Sequence, residues 1–169
     1  MIDELKEIAT VEAVFSRTAS IAAEIERLVA STTAYIDAAL YRITSEPLAR
    51  ALEEASKRGV RVRLILDRGR FESGFASQEL LAKISFPFRI AYGRDGSESK
   101  MHHKFALLDD SMLLSGSYNW TFASEERNHE NLLILREPKL VDTYREEFEA
   151  LWADAREVAQ ANEEILVAA

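Results

Sequence analysis

Residues 101–121, "MHHKFALLDDSMLLSGSYNWT", contain two apolar runs, "HKFALL" and "MLLSGS", separated only by Asp109, Asp110 and Ser111. Each run has the length of a strand, and so short a connection forces the pair to run antiparallel. Side chains on a strand alternate between faces, so His102 and Lys104 project together while His103 points the other way with Phe105 and Leu107. On the second strand Ser117 and Asn119 share a face, and Gly116 has no side chain to block an approaching group. If the register of the hairpin brings that face to His102 and Lys104, imidazole, ammonium, hydroxyl and amide line one small pocket suited to a phosphate. The same alternation separates the two histidines, and the chain has no cysteine. A zinc site there is awkward, and no metal ligand set or cofactor is expected.

Upstream of the hairpin, strands and helices alternate. Residues 11–16 and 34–43 have strand character, and 19–31 has apolar residues at helical spacing. Ser45 as a cap, Pro47 in the first turn and Gly59 as a stop frame a helix over 45–59. A strand over 60–66, a short helix over 77–84 and a strand after Pro87 follow. The stretch 68–77, with Gly69 and Gly74, is expected to be a mobile loop. Downstream lie a strand over 130–136 and a long closing helix from Pro138 to Ala161, with Leu140, Tyr144, Phe148, Leu151 and Trp152 on one face. The expectation is one α/β domain over residues 1–169, with a mixed, partly parallel sheet flanked by helices.

Composition limits the partners. With 169 residues, 47% of them hydrophobic, the chain can bury a proper core. No stretch approaches the roughly 20 apolar residues needed to span a bilayer, and the start lacks the pattern of a signal peptide. Together with the absence of cysteine, this gives an expectation of a cytoplasmic protein. The net charge of −8 looks unfavourable for nucleic acid. Its distribution is uneven, because the acidic excess lies at the two ends of the chain while Lys57, Arg58, Arg61, Arg63, Arg68 and Arg70 cluster in the middle. These cations read either as a solvated face or as a phosphate-attracting rim, with Arg61, Arg63 and Arg68 as the substrate-binding candidates.

The spacing His102-x-Lys104, Asp109, Gly116-Ser117-x-Asn119 resembles the HxKxxxxDxxxxxxGSxN motif of the phospholipase D superfamily. The following Asn128–Asn131, "NHEN", is similar to the acidic element of its small single-motif members, which include bacterial endonucleases and the mitochondrial cardiolipin hydrolase type. The resemblance implies the phospholipase D-like fold and a phosphodiesterase that needs no metal. His102 would attack phosphorus to form a phosphohistidine, and the His102 of a second subunit would protonate the leaving oxygen and then activate water. Lys104 and Asn119, helped by Ser117, would hold the non-bridging oxygens, and Glu130 would orient and charge-stabilise an imidazole.

Because the motif occurs once, the resemblance also implies a homodimer with the active site at its two-fold axis. Asp109, of opposite parity to His102, reads as a structural residue of the hairpin, as does Gly116. His103 reads as a packed residue, and His129 and Trp120 as candidates for a substrate groove or for the core edge. The substrate reading favours nucleic acid, hence an endonuclease. The alternative is a phospholipase D acting on cardiolipin or phosphatidylcholine headgroups, with Phe71 and Phe75 as a lipid-facing rim. A non-catalytic scaffold of the same fold is the third possibility.

Overall fold

Local signals at the helix ends explain where the chain turns. The structure, a computed structural model, describes residues 10–158. After β1 (Val11–Phe15), Ser20 caps α1 (Ile21–Ser31) by accepting the N–H of Ala23 at 3.0 Å. β2 (Tyr35–Leu40) leads to α2 (Glu46–Lys57), which has Pro47 in its first turn. Ser45 stands at the cap position of α2 but makes no side-chain cap bond; its N–H donates to the carbonyl of Trp120 instead. β3 (Arg61–Asp67), α3 (Arg68–Glu72), α4 (Phe75–Leu81) and β4 (Phe88–Gly93) follow, then β5 (Gly96–Lys100), β6 (Lys104–Leu108) and β7 (Met112–Gly116). The chain closes with α5 (Phe122–Glu126), β8 (Asn131–Leu135), α6 (Pro138–Asp154) and β9 (Arg156–Glu157).

All these strands join one sheet in the order β1-β8-β7-β6-β2-β3-β4-β5, with β9 added to β4. β2, β3 and β4 are parallel, and every other pairing is antiparallel. Alternation along the central strands feeds two cores. Ile36, Ala38 and Leu40 of β2 and Val62, Leu64 and Leu66 of β3 pack with α1, α2 and α4, whereas Ala39, Ile65, Phe105 and Leu107 pack under α6 against Val141 and Phe148. The mixed sheet between two helical layers is the expected fold class.

Three expectations change. Residues 68–77 form α3 and the start of α4 rather than a loop. The carboxylate of Asp67 caps α3 by accepting the N–H of Arg70 at 2.8 Å, and Phe71 buries its ring 5.5 Å from Phe88. The closing helix stops at Asp154, and Arg156 and Glu157 pair with β4; the expected helix beyond Val158 lies outside the described residues. β5, "GSESK", was not expected, since it has no apolar alternation and is held as an exposed ribbon against β4.

Candidate active site

The β6–β7 hairpin has a closed end and an open end. At the closed end Asp109 adopts φ 54° and accepts the N–H groups of Thr33, Ala34 and Tyr35 at 3.2, 2.8 and 3.0 Å. It therefore ties the turn to the start of β2, a structural role at the end of the sheet remote from His102. Burial alone would raise its pKa, but those N–H groups outweigh it and hold the carboxyl below its ordinary value.

At the open end, His102 lies just before β6 and Lys104 is its first residue. The Lys104 ammonium stands 3.3 Å from Nδ1 and 3.4 Å from Nε2 of His102, so the two side chains share a face as strand alternation requires. His103 turns the other way, to Glu147 at 3.2 Å and to the ring of Phe105 at 5.5 Å. The His102 imidazole titrates below its ordinary value, first because of burial and then because of the nearby Lys104 and Lys100 charges. Lys104 is also lowered by burial, with the Glu130 carboxylate acting in the opposite sense.

Ser117 and Asn119 reach this end by a route that strand parity does not describe. β7 pairs Ser115 with Phe105, so Lys104 lies opposite Gly116, and a regular strand would carry Ser117 to the His103 face. The strand instead ends at Gly116, where a Cβ would meet the carbonyl oxygen of Asn131 at 2.3 Å. The chain then crosses the end of β2, where Trp120 bridges Ile43 and its carbonyl accepts the N–H groups of Thr44 and Ser45.

Ser117 Oγ donates to Glu130 and accepts the N–H of Asn131 at 3.1 Å. Asn128 donates to the other Glu130 oxygen at 3.1 Å, and Ser16 Oγ accepts the Glu130 N–H at 2.9 Å. Glu130 is thus held by Ser117 and Asn128, not by the His102 of its own chain. The Oδ1 of Asn119 is buried without a hydrogen-bond partner among the described residues, so its amide is poorly satisfied as it stands.

The arginines divide. Arg61 and Arg63 lie at the other end of β3 on the α6 face. Arg63 donates to Asp37 at 2.7 and 2.8 Å and to Glu149 at 3.1 Å, between the rings of Phe148 and Trp152, and its side chain is only 13% exposed. Arg61 pairs with the same Asp37 at 3.3 Å. Neither joins the His102 site, because both neutralise a buried carboxylate. Arg68 does border it, paired with Glu72 at 2.6 Å and stacked 4.7 Å over Tyr92.

A cleft of about 960 Å³ runs from His102 past Arg68, Tyr92, Arg94, Lys100 and Arg156. The last three cations have no ion-pair partner among the described residues. Of the proposed lipid-facing pair, Phe71 is buried and Phe75 is 78% exposed. His129 lines a separate pocket with Phe15, Arg17 and Glu130, and Trp120 is core. Among the described residues no three His, Cys, Asp or Glu side chains gather where they could hold a metal.

Sequence reasoning missed Tyr41 and Asp67. Tyr41 is buried, with its ring 4.3 Å from that of His102, and Asp67 accepts the N–H of Met101 at 2.9 Å. Both follow apolar strands in sequence, and only the position at the strand ends beside the motif could have singled them out.

The mitochondrial cardiolipin hydrolases of Chlamydomonas reinhardtii and Homo sapiens are 33% and 35% identical over 122 and 126 residues, covering 72% and 75% of this chain. The chain spans about half the length of these relatives, 53% and 48%. The crystal structure of the phospholipase D family member Nuc from Salmonella typhimurium superposes with a TM-score of 0.80 at 27% identity, covering 89% of this chain and 98% of Nuc. NucT from Helicobacter pylori gives the same TM-score at 20% identity, covering 89% of this chain and 99% of its own, and shows the shared fold. A family model described as the PLD-like domain of cardiolipin synthase matches residues 25–152, a span that holds His102, Lys104, Ser117, Asn119 and Glu130, and the chain belongs to the phospholipase D superfamily, among its small single-motif members.

Proposed function

We propose that this protein hydrolyses phosphodiesters without a metal cofactor, through a phosphohistidine on His102, and that its substrate is nucleic acid. The observation that carries the reading is the Lys104 ammonium 3.3 Å from the His102 imidazole at the open end of the hairpin, on the strand face that His103 does not share. A neutral imidazole nitrogen attacks phosphorus and the bond to the leaving oxygen breaks, while Lys104 and the Asn119 amide take the charge on the non-bridging oxygens. The leaving oxygen needs a proton, and His103 projects to the opposite strand face from His102, toward Glu147. The partner subunit's His102 supplies it in a two-fold homodimer. It then removes a proton from the water whose oxygen displaces His102 from phosphorus. Glu130 does not bond the His102 of its own chain, and the imidazolium it stabilises is the partner's.

The cations that support a polymeric anion are Arg94, Lys100 and Arg156 along the cleft, not Arg61 and Arg63. The second reading, a phospholipase D, is favoured by the relatives named mitochondrial cardiolipin hydrolase and by the exposed ring of Phe75. The two are separated by assaying single-stranded DNA, RNA, and vesicles of cardiolipin or phosphatidylcholine side by side in EDTA. The expected result is cleavage of a nucleic acid that persists with the chelator and weakens as salt rises. Reversing Arg94 and Lys100 to Glu should lower that cleavage and spare a small phosphodiester. Cleavage of lipid alone establishes the second reading, and activity lost in EDTA and restored by magnesium or zinc overturns the metal-free mechanism.

A further inference from the structure

We propose that Tyr41 is the positioning residue for the His102 imidazole, anchored through Arg70 and Asp67; the inference rests on the reading of His102 as the nucleophile. Residues 101–103 lie between β5 and β6 and are not strand-paired. Other hydrogen bonds hold them instead, one of them from the Lys104 ammonium to the His102 carbonyl at 2.9 Å. Asp67, 2% exposed, accepts the Met101 N–H at 2.9 Å on one oxygen and the Arg70 N–H at 2.8 Å on the other. On the far side of His102, the carbonyl of His103 accepts the N–H of Tyr41 at 2.7 Å. The backbone of His102 is thus fixed, which leaves the rotation of its ring to be set.

No carboxylate bonds that ring among the described residues, since Glu130 is occupied by Ser117 and Asn128. The Lys104 ammonium is nearly equidistant from both ring nitrogens, so it is aimed along neither lone pair and selects no orientation. What remains is Tyr41, whose ring meets the imidazole at 62° with centroids 4.3 Å apart. Tyr41 is held in turn. Its hydroxyl accepts a hydrogen bond from Arg70, whose guanidinium lies 5.1 Å from the ring centroid, and the Lys104 ammonium is 5.1 Å from the same centroid. One buried aromatic ring therefore contacts the imidazole, the ammonium and the guanidinium that flank the site.

The same contact covers one side of the imidazole of the otherwise exposed His102. The charged groups around the imidazole are Lys104, Lys100 and Arg70, which lower its titration, and Asp67, which raises it, while burial is the largest influence. Removing the Tyr41 ring relieves the burial and moves the imidazole up toward its ordinary value. A nucleophile must be neutral, so activity is lost as pH falls through that value, and the acid limb of the rate profile moves to higher pH in the variant.

The test compares Tyr41→Phe with Tyr41→Leu, using Tyr41→Met as the more adaptable replacement of similar volume if the Leu variant does not fold. Turnover of a small phosphodiester and the titration of His102 by NMR are the readouts. Tyr41→Leu or Tyr41→Met should lower kcat by about 10- to 100-fold with KM within about 2-fold, the scale of a misplaced reacting group, and should raise both the acid limb and the imidazole titration. Tyr41→Phe, which keeps the ring but loses the Arg70 hydrogen bond, should lower kcat less than removal of the ring does and leave the imidazole titration unshifted. Unchanged kcat and titration on removal of the ring, or a rise in KM alone, overturns the proposal. If His102→Ala itself retains turnover, the nucleophile reading fails, whereas the NMR titration still reports separately on the Tyr41 contact.

Discussion

The two ends of the central strands carry similar numbers of cations but use them differently. At the end where β3 starts, Lys57 pairs with Glu53, Arg58 donates to the carbonyls of Val29 and Ala30, and Arg61 and Arg63 share Asp37. Asp109 joins them there by accepting the backbone of residues 33–35. At the His102 end, Arg42, Arg94 and Lys100 are exposed and have no ion-pair partner among the described residues. A run of basic residues is thus available to a phosphate only where the fold has not already satisfied it. One end of this sheet invests its charges in stability, and the other leaves them available.

The strongest challenge to that division is His102→Ala. It should remove turnover by about 10⁴- to 10⁶-fold, the scale seen when a nucleophile is lost, while the thermal midpoint stays within a few degrees. Near-normal turnover would make the open end a structural feature like the closed one.

At the opposite end Arg63→Ala should leave turnover per folded molecule within about 2-fold, because the sites are far apart. It strands Asp37, whose side chain is 1% exposed, with only the more distant Arg61. A cost of about 3–5 kcal/mol is expected, read as a midpoint lowered by roughly 10 °C. Selective loss of polymer cleavage at unchanged stability would instead return Arg63 to the substrate.

The smallest effect is expected from Asp109→Asn, which keeps a residue tolerant of φ 54°. It weakens four hydrogen bonds to a charged acceptor, by about 1–2 kcal/mol in total. The native carboxyl titrates below its unfolded value, so its contribution is present above the ordinary carboxylate range and is lost as pH falls through the lowered value. Urea unfolding at neutral and at acid pH should therefore show a gap between parent and variant that closes in acid. A gap that is independent of pH would mean that shape, not charge, secures the turn.

Much of the molecule could be read in one dimension because its signals are local. The turn at Asp109 and the strand alternation that sets His102 with Lys104 and apart from His103 involve residues close in sequence, and the structure has them as expected, whereas Ser45 holds the cap position without a side-chain cap bond. The helix in 68–77 was not legible, since two glycines mask it and its cap is a carboxylate that also holds Met101. The true route of Ser117 was not legible either, for it depends on β8 lying against Gly116.

Periodicity and chemistry along the chain therefore made legible β2, β3, β6, β7 and β8, the helices α1, α2 and α6, the motif spacing and the side-chain types able to act on a phosphodiester, but not α3 or β5. Only the tertiary structure decided which cations are free, which carboxylate holds which group, and that Tyr41 rests against His102. Those are contacts between residues such as Asp37 and Arg63 or Tyr41 and His102, which the sheet order alone brings together. Burial and competition for hydrogen bonds then set what each group has left to offer a substrate.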